Sequence, residues 1–464
     1  MLTVEKIGGT SMSKFHDVLH NIVIVHRRPD EMYNRIFVVS AYNNVTNWLL
    51  EHKKTGAPGI YTSCLEHAYY EGALEELCGR LIDINAQFTD IGLDKAAADR
   101  FIRERIAKAC NFLSGLSNVL SSGYVDRNDI CLAAREILAS IGEAHSAFNT
   151  VDILQHNGIN ATLIDLCGFD DAKPYTIDQR IAHAFKGIDF SRTLCVATGY
   201  TKGTEGIMRA FDRGYSEVTF SKIAVEIKAD EAIIHKEYHL SSADPKIVGV
   251  ENSIPVGHTN FIIADQLADI GMEAIHPKAA KPLEMHGINI RIKNTFEPEH
   301  EGTLISSGYV SPVSRVEIVS GTDKVLAVEI YDPMMVGEVG FDMKIMEVFY
   351  RHGVSYIMKS TNANCITTVV WDNPESAALI DELRTLYHQV QVKQVAIVCC
   401  MGSNIAIPGI LSKASTVLFD NGINIECFSQ SLRQVNMQFV IAREQYRNAI
   451  RALNDALCVH THAQ

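Results

Sequence analysis

Val4-Glu5-Lys6-Ile7-Gly8-Gly9-Thr10-Ser11 reads as a short strand that runs into two glycines and two hydroxyls, with a lysine near the strand's end. Glycines let backbone N–H groups approach an oxyanion with no Cβ in the way, and a lysine adds a point charge. Lys6, Gly8, Gly9 and Thr10 therefore read as a phosphate-binding turn, although the G-x-x-x-x-G-K-[ST] loop is absent. Outward from this stretch, short apolar strands alternate with helical patterns, as at Ile36 to Ser40, Ala161 to Asp165 and Thr193 to Ala197. That alternation predicts an α/β sheet. Between Ser63 and Leu138 the period is helical, with Leu74, Leu77, Leu81 and Ile84 on one face and Phe101, Ile102, Ile106 and Ala109 on another. A helical layer over the sheet is expected there.

The style breaks at Glu297-Pro298-Glu299-His300-Glu301-Gly302, and Ser311-Pro312 adds a second stop signal. Beyond it the chain repeats: Gly340, Gly353 and Ser360 recur as Gly409, Gly422 and Ser429, an offset of 69 residues. The first copy reads as strand Val325 to Ile330, loop Gly337 to Gly340, helix Phe341 to Tyr350, then strands Val354 to Met358 and Cys365 to Val370. Units of about 70 residues in β-α-β-β order resemble the ACT domain, a ferredoxin-like ligand-sensing module. The expected domains are 1–305, 313–390 and 391–464. An amino-acid effector is expected at the loop Met335, Gly337, Gly340 and at the strand end Ser360-Thr361.

A chain of 464 residues allows about three domains at ~150 residues each. Its 47% apolar and 21% charged residues are ordinary globular composition, which excludes disorder. A formal net charge of -13 works against a broad nucleic-acid surface. No apolar run approaches the ~20 residues of a membrane span, and Glu5 and Lys6 stand where a signal peptide needs its apolar stretch. A cytoplasmic protein with no membrane or nucleic-acid partner is expected. The eleven cysteines include no C-x-x-C pair, and those such as Cys195 and Cys399 lie in apolar runs, so they read as buried thiols rather than disulfides or metal ligands. No protein-held metal site is expected.

Lys6-Ile7-Gly8-Gly9-Thr10-Ser11, Val38-Val39-Ser40-Ala41 and Thr46-Asn47 resemble the K-[FI]-G-G-T-S, V-V-S-A and T-N motifs of the aspartokinases. Ile141-Gly142-Glu143 with Ser146 is similar to that family's G-E-x-x-S, and Phe211-Asp212-Arg213-Gly214-Tyr215-Ser216-Glu217 to its L-G-R-G-G-S-D. The resemblance covers essentially the whole chain. It implies an amino acid kinase-like α/β/α sandwich followed by two ferredoxin-like ACT domains, usually paired into a homodimer. It also implies transfer of the γ-phosphoryl group of ATP, with Mg²⁺, to the side-chain carboxylate of L-aspartate. Glu143 would then take the substrate ammonium and Arg213 a carboxylate through a bidentate fork, with Thr46 and Ser216 orienting the remaining oxygens. Lys6, the Gly8-Gly9 amides, Thr10 and Ser40 would hold phosphate, and Glu217 would act beside Lys6 in catalysis. Lysine and threonine are the family's usual effectors.

Several positions depart from the family. Its S-D is Ser216-Glu217 here, longer by one carbon or about 1.5 Å. Its second glycine in R-G-G-S is Tyr215, which crowds a loop close to the substrates. The nucleotide motif T-D-V-D-G-V-Y-T-A-D-P-R corresponds to His235 through Lys246, and only its end survives; His235, Lys236, Ser241 and Lys246 are the nucleotide candidates. G-A-K-V-L-H-P corresponds to Gly271 through Pro277, with Glu273 in place of lysine. Lys236 and Glu273 thus exchange signs, which would preserve local charge. The pattern is similar to the aspartokinases found with ectoine-biosynthesis genes. A rival expectation is an amino-acid-sensing subunit with impaired nucleotide use; a glutamate or acetylglutamate kinase is disfavoured by the tandem ACT ending.

Overall fold

The computed structural model describes residues 1–25, 28, 31–53, 55–65, 70–211, 214–272 and 274–459. The chain divides into two compact units, Met1–His239 with Ile275–Leu304, and Leu240–Ala274 with Ile305–Gln464. Among the described residues no helix is long and apolar enough to cross a membrane.

In the first unit, strand β1 (Thr3–Ile7) lies between β2 (Arg35–Val39) and β5 (Glu231–Lys236), and all three pair in parallel. Strands β3 (Ala161–Ile164) and β4 (Leu194–Thr198) extend the sheet beyond β2, again in parallel. On the other side β5 pairs in parallel with the strand Asn289–Asn294. Parallel strands need crossovers, and two of them are the helices Arg127–His156 and Tyr215–Glu226, which pack on the sheet. The expected helical layer is present as Tyr70–Ala86, burying Leu74, Leu77 and Leu81, and Lys95–Ser121, burying Ile102, Ile106 and Ala109. Cys195 and Cys399 are fully buried in strands, as their apolar flanks predict.

One face of the central strands holds a buried ionic cluster. Glu5 accepts from Arg35 Nε at 2.6 Å and Arg35 Nη2 at 2.8 Å, and its Oε2 lies 2.8 Å from His235 Nε2. Because β1 and β5 are in register, Ile7 faces His235 while Lys6 faces Ile234. His235 therefore sits on the opposite side of the sheet from Lys6, away from its neighbour Lys236.

The second unit is built on two long antiparallel strands, Ile318–Tyr331 and Gln389–Met401. They form the centre of a six-stranded sheet, flanked on one side by Cys365–Trp371 and Met358–Thr361 and on the other by Asn436–Ala442 and Cys427–Gln430. The repeat is visible in backbone geometry. Gly340 and Gly409, at φ 84° and 97°, cap the helices Phe341–Arg351 and Ile410–Asp420, and Gly353 and Gly422 follow those helices at φ 63° and 66°. All four need the left-handed region that glycine enters without a Cβ penalty. The strand expected at Val354 to Met358 begins only at Met358, because Gly353 closes the helix and pairing with Val369 starts at Met358.

Two apolar cores divide the strand Ile318–Tyr331 between its two ends. Leu326, Val328 and Ile330 pack with Phe341, Ile345 and Leu379, whereas Val319 packs with Val398, Phe439 and Ile450. Into this second core the segment Leu240–Ala274 inserts Ala243, Ile247 and Val248. Ser242 Oγ donates to Asn454 Oδ1 at 2.8 Å, Asn454 Nδ2 to Asn252 O at 2.8 Å, and Arg451 Nε to Ile247 O at 2.7 Å. Residues 240–274, inside the expected 1–305 span, thus belong to the second unit.

Buried titratable groups of the first unit give it an acid limit. Burial would push the Glu5 carboxyl up, but Arg35 and His235 hold it well below the usual range. Burial depresses His235, and it depresses His145, whose Nε2 lies 2.6 Å from Asn85 Oδ1, to about 3. A histidine kept neutral in the fold but free to protonate at about pH 6.5 when unfolded makes stability fall with acid, and so does a depressed carboxylate at lower pH. We predict that His145 alone contributes a loss of about 2 kcal/mol between pH 7 and pH 5, opposed by the Glu143 carboxyl, whose raised pKa favours the fold as pH falls. Urea midpoints against pH test this. His145→Gln should flatten the slope between pH 6.5 and 5 by about one proton, and an unchanged slope would contradict the assignment.

Candidate active site

The parallel strands end on one rim of the sheet, the side on which open α/β sheets bind ligands. At the end of β1 the chain turns at Gly8 into the short helix Gly9–Met12. A Cβ on Gly9 would lie 2.7 Å from Ala41 O, so the turn can close onto the segment after β2 only as glycine. At Gly8 the nearest atom is His235 O at 3.7 Å, an ordinary contact, so Gly8 is not forced in the same way. Thr10 lies within that helix, and Ser11 Oγ is 3.0 Å from Thr295 Oγ1.

The helix Arg127–His156 brings Glu143 to the same rim. Gly142 permits the approach, since a Cβ there would meet Ala41 Cβ at 2.7 Å and Val45 Cγ1 at 2.8 Å. Ser146 Oγ donates to Ser40 O at 2.9 Å and pins the helix to the end of β2. Thr46 is half-buried in the next helix, Val45–Leu49, beside the Val45 that Gly142 meets. The G-E-x-x-S spacing thus has a mechanical content: glycine for approach, glutamate for the site, serine for the tie.

The helix Tyr215–Glu226 completes the rim. Ser216 Oγ lies 3.5 Å from Ser40 Oγ, and Lys6 Nζ lies 3.6 Å from Glu217 Oε1. Glu217 Oε2 accepts the His276 N–H at 2.6 Å, while a Cβ on Gly214 would meet the His276 ring at 2.7 Å. The motif around Ser216 and the His276-Pro277 motif therefore meet. Burial would raise the Glu217 carboxyl, but Lys6, Lys236 and the His276 N–H outweigh it and leave it below the ordinary range.

Glu143 behaves oppositely. Burial pushes its carboxyl well above the usual range, against the downward pull of Lys6, the Tyr215 hydroxyl and the Ala41 N–H. Its Oε2 is buried with no hydrogen-bond partner, a poised acceptor. Lys6, itself almost wholly buried, is thus charge-coupled to one ionised carboxylate and one poised to ionise.

Lys6, Gly9, Ser40, Glu143, Ser216 and Glu217 come together, with Lys236 near enough to act on Glu217. His235 does not join them; it belongs to the Glu5–Arg35 cluster across the sheet. Arg213 and Glu273 lie outside the described residues, and with Glu273 the proposed exchange of sign with Lys236. Ser241 and Lys246 lie on the 240–274 segment of the second unit, Lys246 in the short helix Pro245–Val248. Of the effector candidates, Met335 ends a turn packed on the first core, Gly337 and Gly340 have positive φ, and Ser360-Thr361 end an edge strand. Lys359 Nζ donates to Asp342 Oδ2 at 2.5 Å, tying that strand to the start of the helix after Gly340.

Gly199 was not singled out from sequence. A Cβ there would meet Ser216 Cβ at 2.9 Å, Val39 O at 2.9 Å and Glu143 Cδ at 3.2 Å. Its signal was available as the Thr198-Gly199-Tyr200 step that ends β4. His276 was likewise read only as part of a motif.

Residues 1–294 match the amino acid kinase family, and residues 398–457 match the ACT domain. Aspartate kinase Ask_Ect of Stutzerimonas stutzeri (strain A1501) is 46% identical over 465 residues, covering 98% of this chain and 97% of that protein. The crystal structure of Clostridium acetobutylicum aspartate kinase superposes with a TM-score of 0.73 at 20% identity, covering 98% of this chain and 100% of the other. That of E. coli aspartokinase III in complex with aspartate and ADP gives 0.72 at 18% identity, covering 98% and 99%. At those identities the two structures speak for the fold, while the Stutzerimonas relative speaks for the family. The chain belongs to the aspartate kinases of the amino acid kinase family.

Proposed function

We propose that the chain transfers the γ-phosphoryl group of ATP to the side-chain carboxylate of L-aspartate, giving 4-phospho-L-aspartate. The observation that carries this reading is the buried Lys6 ammonium, 3.6 Å from Glu217 and acting on Glu143, at the glycine turn after β1. A carboxylate acceptor is already ionised at neutral pH, so no strong base is required; alignment and neutralisation of charge carry the reaction. Lys6 and the Gly8-Gly9 backbone face the transferring phosphoryl group, with Thr10 and Ser40 beside them. Glu217, held ionised, fixes the position of Lys6. Glu143 Oε2 receives the substrate ammonium, and that contact favours its ionised form. Arg213, Thr46 and Ser216 orient the carboxylates of aspartate. The catalytic domain is the stretch 1–305 without its residues 240–274, and the two ACT domains are 313–390 and 391–464.

ATP arrives with Mg²⁺, an ion that keeps several waters and needs only one or two protein carboxylates beside the phosphates. Among the described residues no group of three His, Cys, Asp or Glu side chains is placed to hold a metal by itself, and Glu217 is the carboxylate at hand. When bound, the ion offsets phosphate charge. Lys236, Ser241 and Lys246 are the remaining nucleotide candidates. The same reading places the enzyme in the cytoplasm as a homodimer joined through its ACT sheets, with its product directed toward ectoine synthesis, in keeping with the name Ask_Ect of its relative.

A hydroxamate assay with ATP and either aspartate or glutamate is the direct test. Product with aspartate and not with glutamate is expected. No product with either would favour the sensing-subunit reading. Lys6→Ala should lower turnover by at least about a hundredfold even at temperatures where the variant, destabilised by the unpaired Glu217, is still folded; near-normal turnover would remove Lys6 from the mechanism. For the repeats, calorimetry should detect lysine or threonine, and Gly340→Val or Ser360→Ala should weaken that binding. The absence of heat with lysine, threonine and ectoine would make the repeats structural.

A further inference from the structure

Glu136 precedes Glu143 by seven residues on the helix Arg127–His156, two turns back along one face. Glu143 enters the substrate site, whereas Glu136 is committed to two other segments of the rim. Its Oε2 accepts the Tyr200 hydroxyl and its Oε1 the Met208 N–H, each at 2.7 Å. Gly206, at φ 72°, lets the chain turn there, since a Cβ on it would lie 3.0 Å from Glu136 Oε1. The Met208 N–H is one of those that a helix start leaves unsatisfied, here the start of Ile207–Phe211. Two turns further back, Asp129 holds Arg209 of the same short helix at 2.7 Å, but both side chains are more than half exposed and such pairs contribute little. Tyr200, by contrast, is 3% exposed. It follows Gly199, which donates to Val39 O at 3.0 Å and stands between Glu143 and Ser216. Its ring meets Tyr215 edge-on, with centroids 6.0 Å apart and planes at 74°, and Tyr215 opens the helix that carries Ser216. One carboxylate thus fixes the chain after β4 and, through Tyr200, backs the helix that presents Ser216.

We propose that Glu136 is a positioning residue for the amino-acid substrate: it holds Tyr200 and the start of the helix Ile207–Phe211 so that Gly199 and Ser216 keep their places beside Glu143 before aspartate arrives. The inference rests on the reading of Glu143 and Ser216 as contacts of aspartate. A pocket that is held in shape spends less binding energy on ordering its own walls. The Lys6–Glu217 pair is held separately, by the His276 N–H on Glu217 Oε2. Loss of Glu136 therefore loosens the aspartate side of the site and leaves the phosphoryl side in place.

Three variants of the full-length enzyme test this. Glu136→Ala removes both acceptors, Glu136→Gln keeps one oxygen, and Tyr200→Phe breaks one bond while keeping the ring against Tyr215. Glu136→Ala should raise the KM for aspartate about tenfold, the scale of one hydrogen bond to a charged group. Glu136→Gln and Tyr200→Phe should raise it by less, and in all three turnover and the KM for ATP should stay within about twofold. Because Tyr200 acts through Glu136, adding Tyr200→Phe to Glu136→Ala should cost little more than Glu136→Ala alone. An unchanged KM for aspartate overturns the proposal, and so does a loss shared by turnover and the KM for ATP, or strict additivity in the double variant. If Glu136→Ala does not fold, Glu136→Gln and Tyr200→Phe decide by the same split between the two substrates. Glu143→Gln separates the proposal from the reading beneath it. A large rise in the KM for aspartate there, with none in the Glu136 variants, refutes Glu136 alone. No rise in Glu143→Gln removes both.

Discussion

An ammonium taken out of water must be paired, and the pairing of Lys6 organises the first unit. Its charge acts on Glu217 at 3.6 Å and on Glu143, so three chain segments distant in sequence have to end on one rim. Removing one partner of such a group would leave a buried charge uncompensated, which costs several kcal/mol. The close approaches elsewhere follow from that demand. Gly9 lets the turn close on Ala41, Gly142 lets the long helix reach β2, and Gly199 leaves room between Glu143 and Ser216. The two carboxylates share a cation yet are pushed in opposite directions, Glu217 by a backbone N–H and a second lysine, Glu143 by burial. One is thereby kept charged, and the other is left to ionise with its ligand.

Much of this was legible in the residues. A strand running into Gly8-Gly9 with Lys6 near its end pointed to a phosphate turn, and alternation of strands and helices pointed to the parallel sheet that presents it. Glu143 was legible because glycine precedes it and a serine follows three positions later. His235 was not legible: adjacent strand residues face opposite sides, and only the register with β1 decides which one shares a face with Lys6. Nothing in the sequence showed that the Lys236 charge also acts on Glu217.

In the second unit the repeat was readable from glycine spacing, because each copy needs a left-handed residue before and after its first helix. The division of one strand between two cores was not readable. A strand of fourteen residues serves both cores, and nothing in its alternation marks where one ends. A single sheet then spans both copies, so a strain applied to one half of the unit reaches the other through the central strand pair rather than through a linker.

The segment 240–274 also bears on how such proteins are recombined by evolution or by engineers. Ala243, Ile247 and Val248 complete an apolar core whose other members lie past residue 315. A kinase portion cut after residue 305 would carry those three side chains with nothing to cover them, and the severed regulatory portion would keep a matching hole. Fusion junctions drawn at the apparent linker would therefore yield sticky, poorly folding pieces. A workable exchange has to move the segment together with the repeats, as one discontinuous cassette.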